Sequence, residues 1–195
     1  MCGICGLVSL SGARVDEDVV TRMNNALTHR GPDAAGVFCD GVAGIANRRL
    51  SIIDLAGGDQ PIANEDGTIH VVQNGEIYNY RELRSELEAR GHRFRTHSDT
   101  EVLVHLYEQE GPTFARRLRG MFAVAIWDVP RRRFVLTRDQ YGIKPMYYRM
   151  THDSVAFASE LKGLMESPGF SRDLDLDALD AYLAFSCIPA PLTIF

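Results

Sequence analysis

Four short runs follow one another in the second half of the chain: MFAVAIWD at 121–128, RRFVLTRD at 132–139, PMYYRM at 145–150 and SVAFAS at 154–159. Each is rich in β-branched and aromatic residues, and only short turns separate them. They predict a meander of mostly antiparallel sheet. Further strands are expected up to Val8, in TIHVVQNG at 68–75, and in a hairpin over 35–55. The hairpin is centred on Asp40-Gly41, a favoured tight-turn dipeptide. HRGPD at 29–33 reads as a turn and AGGDQPIANEDG at 56–67 as loop.

Helical spacing interrupts the strands in three places. Val19, Val20, Met23, Ala26 and Leu27 share one face of a helix over 16–27, with Asp16 as N-cap. Leu83 and Leu87 stack one turn apart over 79–90, and Gly91 stops that helix. Val102, Leu103, Leu106 and Tyr107 mark a third over 100–110, capped by Ser98 or Asp99 and ended by Gly111. Strands in excess with separate helices predict an α+β fold, sheets covered by helices. The character changes at Leu174, where a short helix leads into Pro-Ala-Pro and an apolar ending at Ile194-Phe195. The expected organisation is one domain over 1–173, with 174–195 opening a linker to a further domain.

The net charge of −5 argues against nucleic acid or an anionic membrane as partner. No apolar run is long enough to span a bilayer, and Cys2–Leu10 lacks the basic flank and cleavage site of a signal peptide. A cytoplasmic, reducing location is expected, in which Cys2, Cys5, Cys39 and Cys187 are free thiols.

The opening MCGICG spaces Cys2 and Cys5 like a metal knuckle or a redox pair. A zinc knuckle needs a second pair of ligands. Cys39 and Cys187 are isolated, and His92 and His97 have no cysteine beside them, so no metal site is expected. A redox pair belongs at the start of a helix, whereas these cysteines lie in a strand. Residues three apart in a strand point to opposite faces. Cys5 is then a small buried hydrophobe. Cys2 differs because loss of Met1, expected before a small residue, leaves its thiol beside a free α-amine. An α-amine titrates near 7.7–8.0, about where a thiol does, and can serve as its base.

Other strings stand in order behind that cysteine: RGPD (30–33), NRRLSIIDL (47–55), NGEIYNYRELR (74–84), HSDTEVLVHLY (97–107), LRGMFAVAIWD (118–128), TRDQYGIKPMYY (137–148) and FASELKGL (157–164). With MCGICG they closely resemble the glutaminase domain of glutamine-hydrolysing asparagine synthetases, a class II glutamine amidotransferase, over essentially the whole chain. Hexosamine-forming and purine-pathway amidotransferases share the cysteine but differ after the arginine-glycine pair.

The resemblance implies an N-terminal-nucleophile hydrolase fold, with two antiparallel sheets between helical layers. It implies Cys2 as nucleophile and Asn74 with Gly75 as oxyanion hole; an amide side chain and a backbone N–H are suitable donors. A plain strand-ending turn is the other reading of Asn-Gly. Arg49 would hold glutamine's α-carboxylate and Asp99 its α-ammonium, with Glu76 a candidate beside Asp99. Leu50, Ser51 and Ile52 would line the pocket with backbone groups, and Arg30–Asp33 would help arrange the site. The implied partners are L-glutamine and a synthetase domain of the same polypeptide that uses ATP and magnesium; this domain itself would take no cofactor. Homo-oligomerisation stays open. The alternatives are another ammonia acceptor, or a non-catalytic module that binds glutamine or docks a partner. AGGDQP lacks the residues of a phosphate loop, Arg131–Arg133 reads as a solvated hairpin tip, and Phe122, Trp127 and Phe134 as core.

Overall fold

A computed structural model describes residues 1–55 and 57–195. Its strands are β1 (Gly3–Ser9), β2 (Ala34–Cys39), β3 (Ala43–Arg49), β4 (Ile62–Ala63), β5 (Ile69–Ile77), β6 (Gly120–Asp128), β7 (Arg133–Arg138), β8 (Tyr147–Met150) and β9 (Ser154–Ala158). Its α-helices are α1 (Glu17–Asn25), α2 (Tyr80–Ala89), α3 (Glu101–Glu110), α4 (Leu161–Leu164) and α5 (Leu176–Phe185).

The strands form two sheets, ordered β2-β3-β1-β9-β8 and β4-β5-β6-β7, with antiparallel pairing throughout. Alternation along each strand then builds three cores. Cys5, Leu7, Ala46 and Ala156 of the first sheet pack against Val19, Val20 and Met23 of α1 and Leu164 of α4. Ile69, Val71, Val124 and Ile126 of the second sheet pack against Leu83 and Leu87 of α2 and Val102, Leu103 and Leu106 of α3. Ile4, Val8, Ile45, Val72, Ala125 and Trp127 meet between the sheets. Helix, sheet, sheet, helix is the four-layer α+β sandwich of N-terminal-nucleophile hydrolases.

Several local expectations hold. Asp16 caps α1, its carboxylate accepting from the Asp18 N–H at 2.9 Å. Gly41 turns the β2–β3 hairpin at φ 95°, and Gly91 and Gly111 follow α2 and α3 at φ 99° and 60°. Phe122 and Trp127 are both buried, on opposite faces of β6.

Four expectations need correction. The last four strands are not one meander: β6 and β7 close the second sheet, and β8 and β9 join the first. The β3 strand ends at Arg49, so 50–55 leave the sheet. The loop expected over 56–67 holds the short β4, which pairs Ile62 with Val71; its first residue, Ala56, lies outside the described residues. Neither Ser98 nor Asp99 is the N-cap residue of α3. That position is Thr100, whose hydroxyl accepts from Gln60 Nε2 at 3.2 Å in place of a cap bond; Ser98 Oγ accepts from the Thr100 N–H at 3.1 Å just ahead of it, and the Asp99 carboxylate is committed to β5.

The tail folds back on itself. Asp175 caps α5, its backbone N–H donates to the Ile194 carbonyl, and Phe195 packs edge-on against Phe170.

Candidate active site

Cys2 immediately precedes β1 and has the parity of Ile4, which faces the second sheet. Asn74 on β5 has the parity of Val72, which faces the first. The two side chains therefore approach from opposite sheets. They line one cavity together with Arg49, Leu50, Gly75, Glu76 and Asp99.

The cysteine is held from both sides. Its Sγ accepts from the Leu50 N–H at 3.4 Å and lies 3.7 Å from the Leu50 carbonyl. Its own carbonyl accepts from Arg30 Nε at 2.9 Å, and Arg30 Nη1 donates to Glu160 at 2.8 Å. Burial opposes ionisation of Glu160, but Arg30, His29 and Lys162 around it prevail and hold its pKa at about 2. The RGPD turn continues the support. A Cβ on Gly31 would stand 2.3 Å from the Arg48 carbonyl, so only glycine fits there. Asp33 accepts from the Ser51 N–H at 2.8 Å. Arg30–Asp33 thus position Cys2 and its neighbouring loop without lining the cavity.

The other thiols are placed differently. Cys5 is fully buried, which pushes its pKa well up. Cys39 is pushed up to about 11 by burial and by the carboxylates of Glu17, Asp40 and Asp16. Cys187 is exposed on the tail after α5.

Asn74-Gly75 is no strand-ending turn. Both residues sit inside β5, paired with Ala123 and Phe122 of β6. Gly75 adopts φ 147°, and a Cβ there would lie 2.0 Å from the Met121 carbonyl. The Asn74 amide is 1% exposed, yet neither its nitrogen nor its oxygen has a hydrogen-bond partner among the described residues. Leaving a buried polar group unpaired typically costs about 1–3 kcal/mol. Such an expense inside a cavity marks a group kept ready for something that enters.

Asp99 is also buried. Its Oδ2 accepts from the Ile77 N–H at 2.9 Å and from Gln73 Nε2 at 3.2 Å. Burial nevertheless pushes its pKa above the ordinary carboxylate value, and the nearby Glu76 adds to that. A buried carboxylate facing a cavity with too little positive charge around it suits an incoming cation.

Arg49 lines the cavity too, with its donors already engaged. It is buried at the cavity wall, but its guanidinium already braces the 53–59 loop. Nη2 donates to the Ile53 and Asp54 carbonyls at 2.9 and 2.6 Å, and Nη1 pairs with Asp59 at 2.8 Å. Asp59 is itself 71% exposed. Leu50 and Ile52 line the cavity; Ser51 does not, its N–H being spent on Asp33. Sequence reasoning assigned no role to Gln60, Gln73 and Lys144, which also line it. Gln60 ties β3 to β5 by accepting from the Gln73 N–H at 2.6 Å and from Asn47 Nδ2 at 3.3 Å. Lys144 stands within the GIKP string and is 6% exposed, an uncommon state for lysine. That string was the available signal.

The whole chain, residues 1–195, matches the family model described as a glutamine amidotransferase domain. The chain belongs to the glutamine amidotransferase domain family. It is 45% identical to asparagine synthetase (glutamine-hydrolyzing) 1 of Bacillus subtilis over 197 residues, 100% of this chain and 31% of that protein. It is 43% identical to asparagine synthetase (glutamine-hydrolyzing) 3 of Arabidopsis thaliana over 168 residues, 85% of this chain and 29% of that one. The amidotransferase domain thus spans about a third of the length of these relatives. Among solved structures, glutamine phosphoribosylpyrophosphate amidotransferase of Bacillus subtilis shares the fold, with TM-score 0.68 and 23% identity over 84% of this chain and 43% of that one. An amidotransferase domain is an enzyme, and in this one Cys2 and Asn74 line the same cavity. Among the described residues, no helix of the amidotransferase domain is long and apolar enough to cross a membrane.

Proposed function

We propose that this cavity hydrolyses the side-chain amide of L-glutamine and that the ammonia serves an asparagine synthetase domain of the same polypeptide. The observation that carries this reading is the buried, unpartnered Asn74 amide sharing a cavity with the Cys2 thiol. With Met1 removed, the α-amine of Cys2 takes the thiol proton as sulfur attacks the amide carbon. The carbonyl electrons move onto oxygen, and Asn74 Nδ2–H with the Gly75 N–H stabilises that oxyanion. Collapse breaks the C–N bond, the α-ammonium returns its proton to the leaving nitrogen, and ammonia departs. A γ-glutamyl thioester remains. Water attacks it with the α-amine again as base, releasing glutamate and the thiol. These steps need no metal or cofactor. ATP and magnesium belong to activation of aspartate in the synthetase domain. The four thiols and the reaction as a whole suit a reducing, cytoplasmic setting.

Removing one oxyanion donor typically costs about 2.7–4 kcal/mol, or roughly 100- to 1000-fold in kcat. Asn74→Ala is therefore expected to lower kcat by that factor with a smaller change in KM. An Asn74→Ala enzyme within a few-fold of the parent chain would leave the orphaned amide without a catalytic meaning and remove the main support for this reading.

Recognition of the amino-acid end falls to Asp99 and Arg49. Asp99 accepts from the α-ammonium. Arg49 holds the α-carboxylate by exchanging Asp59, a largely hydrated partner that is cheap to release. Stability and binding should then move in opposite directions at Asp99. Its folded pKa lies above the unfolded one, so its contribution to stability is present below the unfolded value and lost as pH rises through the folded value. Asp99→Asn is expected to leave Tm at neutral pH unchanged or higher. The same change should raise KM for glutamine at least about 30-fold, since truncating one side of a buried charge pair costs about 2–5 kcal/mol. Thermal denaturation and steady-state kinetics on one sample read both. A glutamine KM like the parent's would move the ammonium contact to Glu76.

The 174–195 segment is assigned here as the start of the connection to the synthetase domain. Its α5 leaves Leu176, Leu183 and Phe185 exposed, which suits burial against further chain.

A further inference from the structure

Glu65, His92, His105 and Glu108 place one ligand atom each within 4.8 Å of one another. None of the four lines the Cys2 cavity. Three segments bring them together: Glu65 from the β4–β5 turn, His92 from the loop after α2, and His105 with Glu108 from one face of α3. Their separations along the chain hide the pattern, and the sequence pairing of His92 with His97 points elsewhere.

His105 is the unusual member. It is fully buried, and neither ring nitrogen makes a hydrogen bond among the described residues. Its Nδ1 lies 3.2 Å from Glu65 Oε2, inside the cluster. Its Nε2 faces Glu101 Oε1 at 3.7 Å. Glu101 is anchored by the Arg95 N–H at 2.7 Å and by the Thr96 N–H and hydroxyl, both at 2.7 Å. A carboxylate behind the far nitrogen is the usual support of a metal-bound imidazole. His92 repeats the arrangement. Its Nδ1 lies 3.3 Å from Glu65 Oε1 and 3.8 Å from Glu108 Oε2, and its Nε2 meets the Gln109 amide at 2.8 Å. Turning that amide presents its oxygen to the Nε2–H.

We propose that Glu65, His92, His105 and Glu108 form a structural site for a divalent cation of the Zn²⁺ class. Two neutral imidazoles and two carboxylates are ordinary zinc ligands, and their charge balances a dication. Four ligands about 2.0–2.1 Å from a tetrahedral Zn²⁺ lie roughly 3.3 Å apart. His105 Nδ1 and Glu65 Oε2 already lie 3.2 Å apart, His92 Nδ1 and Glu108 Oε2 lie 3.8 Å apart, and the four ligand atoms all lie within 4.8 Å of one another, so binding draws them inward. The Arg93 N–H holds Glu65 Oε1 at 2.9 Å and leaves Oε2 to the metal. Glu65 and Glu108 are about one-third exposed, which gives the ion an entry path to the buried His105. A bound ion would staple the β4–β5 turn and the α2–α3 connection onto α3, on the helical side of the second sheet.

The test uses the Cys2→Ala chain, so that the active-site thiol does not compete for metal. After chelator treatment, calorimetric titration with Zn²⁺ is expected to show one ion per chain, together with a higher Tm. Co²⁺ in its place should give the visible bands of a tetrahedral site without thiolate charge transfer. Replacing His105 endangers the core, so the part-exposed ligands carry the assignment. His92→Asn and Glu108→Gln should fold, and each should weaken Zn²⁺ binding about tenfold or more. Absence of stoichiometric binding would overturn the proposal. So would binding indifferent to both substitutions, or a thiolate band that puts the ion on Cys39 or Cys187.

Discussion

Cys2→Ala is expected to abolish glutamine hydrolysis while the chain stays folded and still binds glutamine. The side chain is half-buried at the start of the first sheet's central strand, and its Sγ contributes only weak contacts to the Leu50 backbone. Losing it removes the proposed nucleophile and almost no packing. Cys2→Ser keeps a nucleophilic atom and the volume, yet a hydroxyl is nearly all protonated at neutral pH. Severe impairment is the expected result there too. An ammonia-release assay beside a circular-dichroism melt checks both variants. Retention of most activity by Cys2→Ala would place the chemistry on another residue.

The second large effect concerns Met1, which lines the same cavity as Cys2 and lies with its sulfur 3.3 Å from Lys144 Nζ. Its removal would free the α-amine and clear that part of the cavity. General-base catalysis is typically worth about 10²–10⁴-fold. Protein of identical sequence that keeps Met1, made with its aminopeptidase inhibited, should therefore be slower by at least that order. Mass spectrometry defines the fraction processed, and activity should track that fraction. Equal rates with and without Met1 would show that the α-amine is not the base.

The strand alternation told more about the site than any motif taken singly. It separated Cys5 from Cys2 before any contact was known, and Cys5 is the fully buried residue of the pair. It also put Cys2 on the parity that faces the second sheet. What alternation does not carry is sheet membership. It assigns faces within a strand, and the crossing between β7 and β8 depends on which edge is open when the chain arrives. The 145–150 run therefore read as one more strand of the same meander. The departure of 50–55 from β3 was hidden for a related reason. Leu50-Ser51-Ile52-Ile53 has good strand composition, but Asp33 and Arg49 bind its backbone and hold it as the cavity's wall.

Individual site residues divided along the same line. Asn74 and Asp99 stood out because their chemical types fit a glutamine site in strings that resemble a known family. That Asn74 would be buried without a partner is a tertiary fact with no local signature. Arg49 shows the converse, since its residue type suits a carboxylate clamp but its donors are shared with the 53–59 loop. The His92–His105 cluster was invisible because its four members come from three separated segments.

One activated thiol at the first residue of the processed chain is the centre of the account. Treatment with a glutamine analogue bearing an electrophile at the amide position, followed by intact mass and peptide mapping, tests it most directly. The account predicts a single adduct per chain, on Cys2 of protein that lacks Met1, with free glutamine protecting against it. Cys5 and Cys39, whose burial raises their pKa, should stay unmodified, as should the exposed Cys187. Adducts spread over several cysteines, or full labelling of chains that retain Met1, would contradict it.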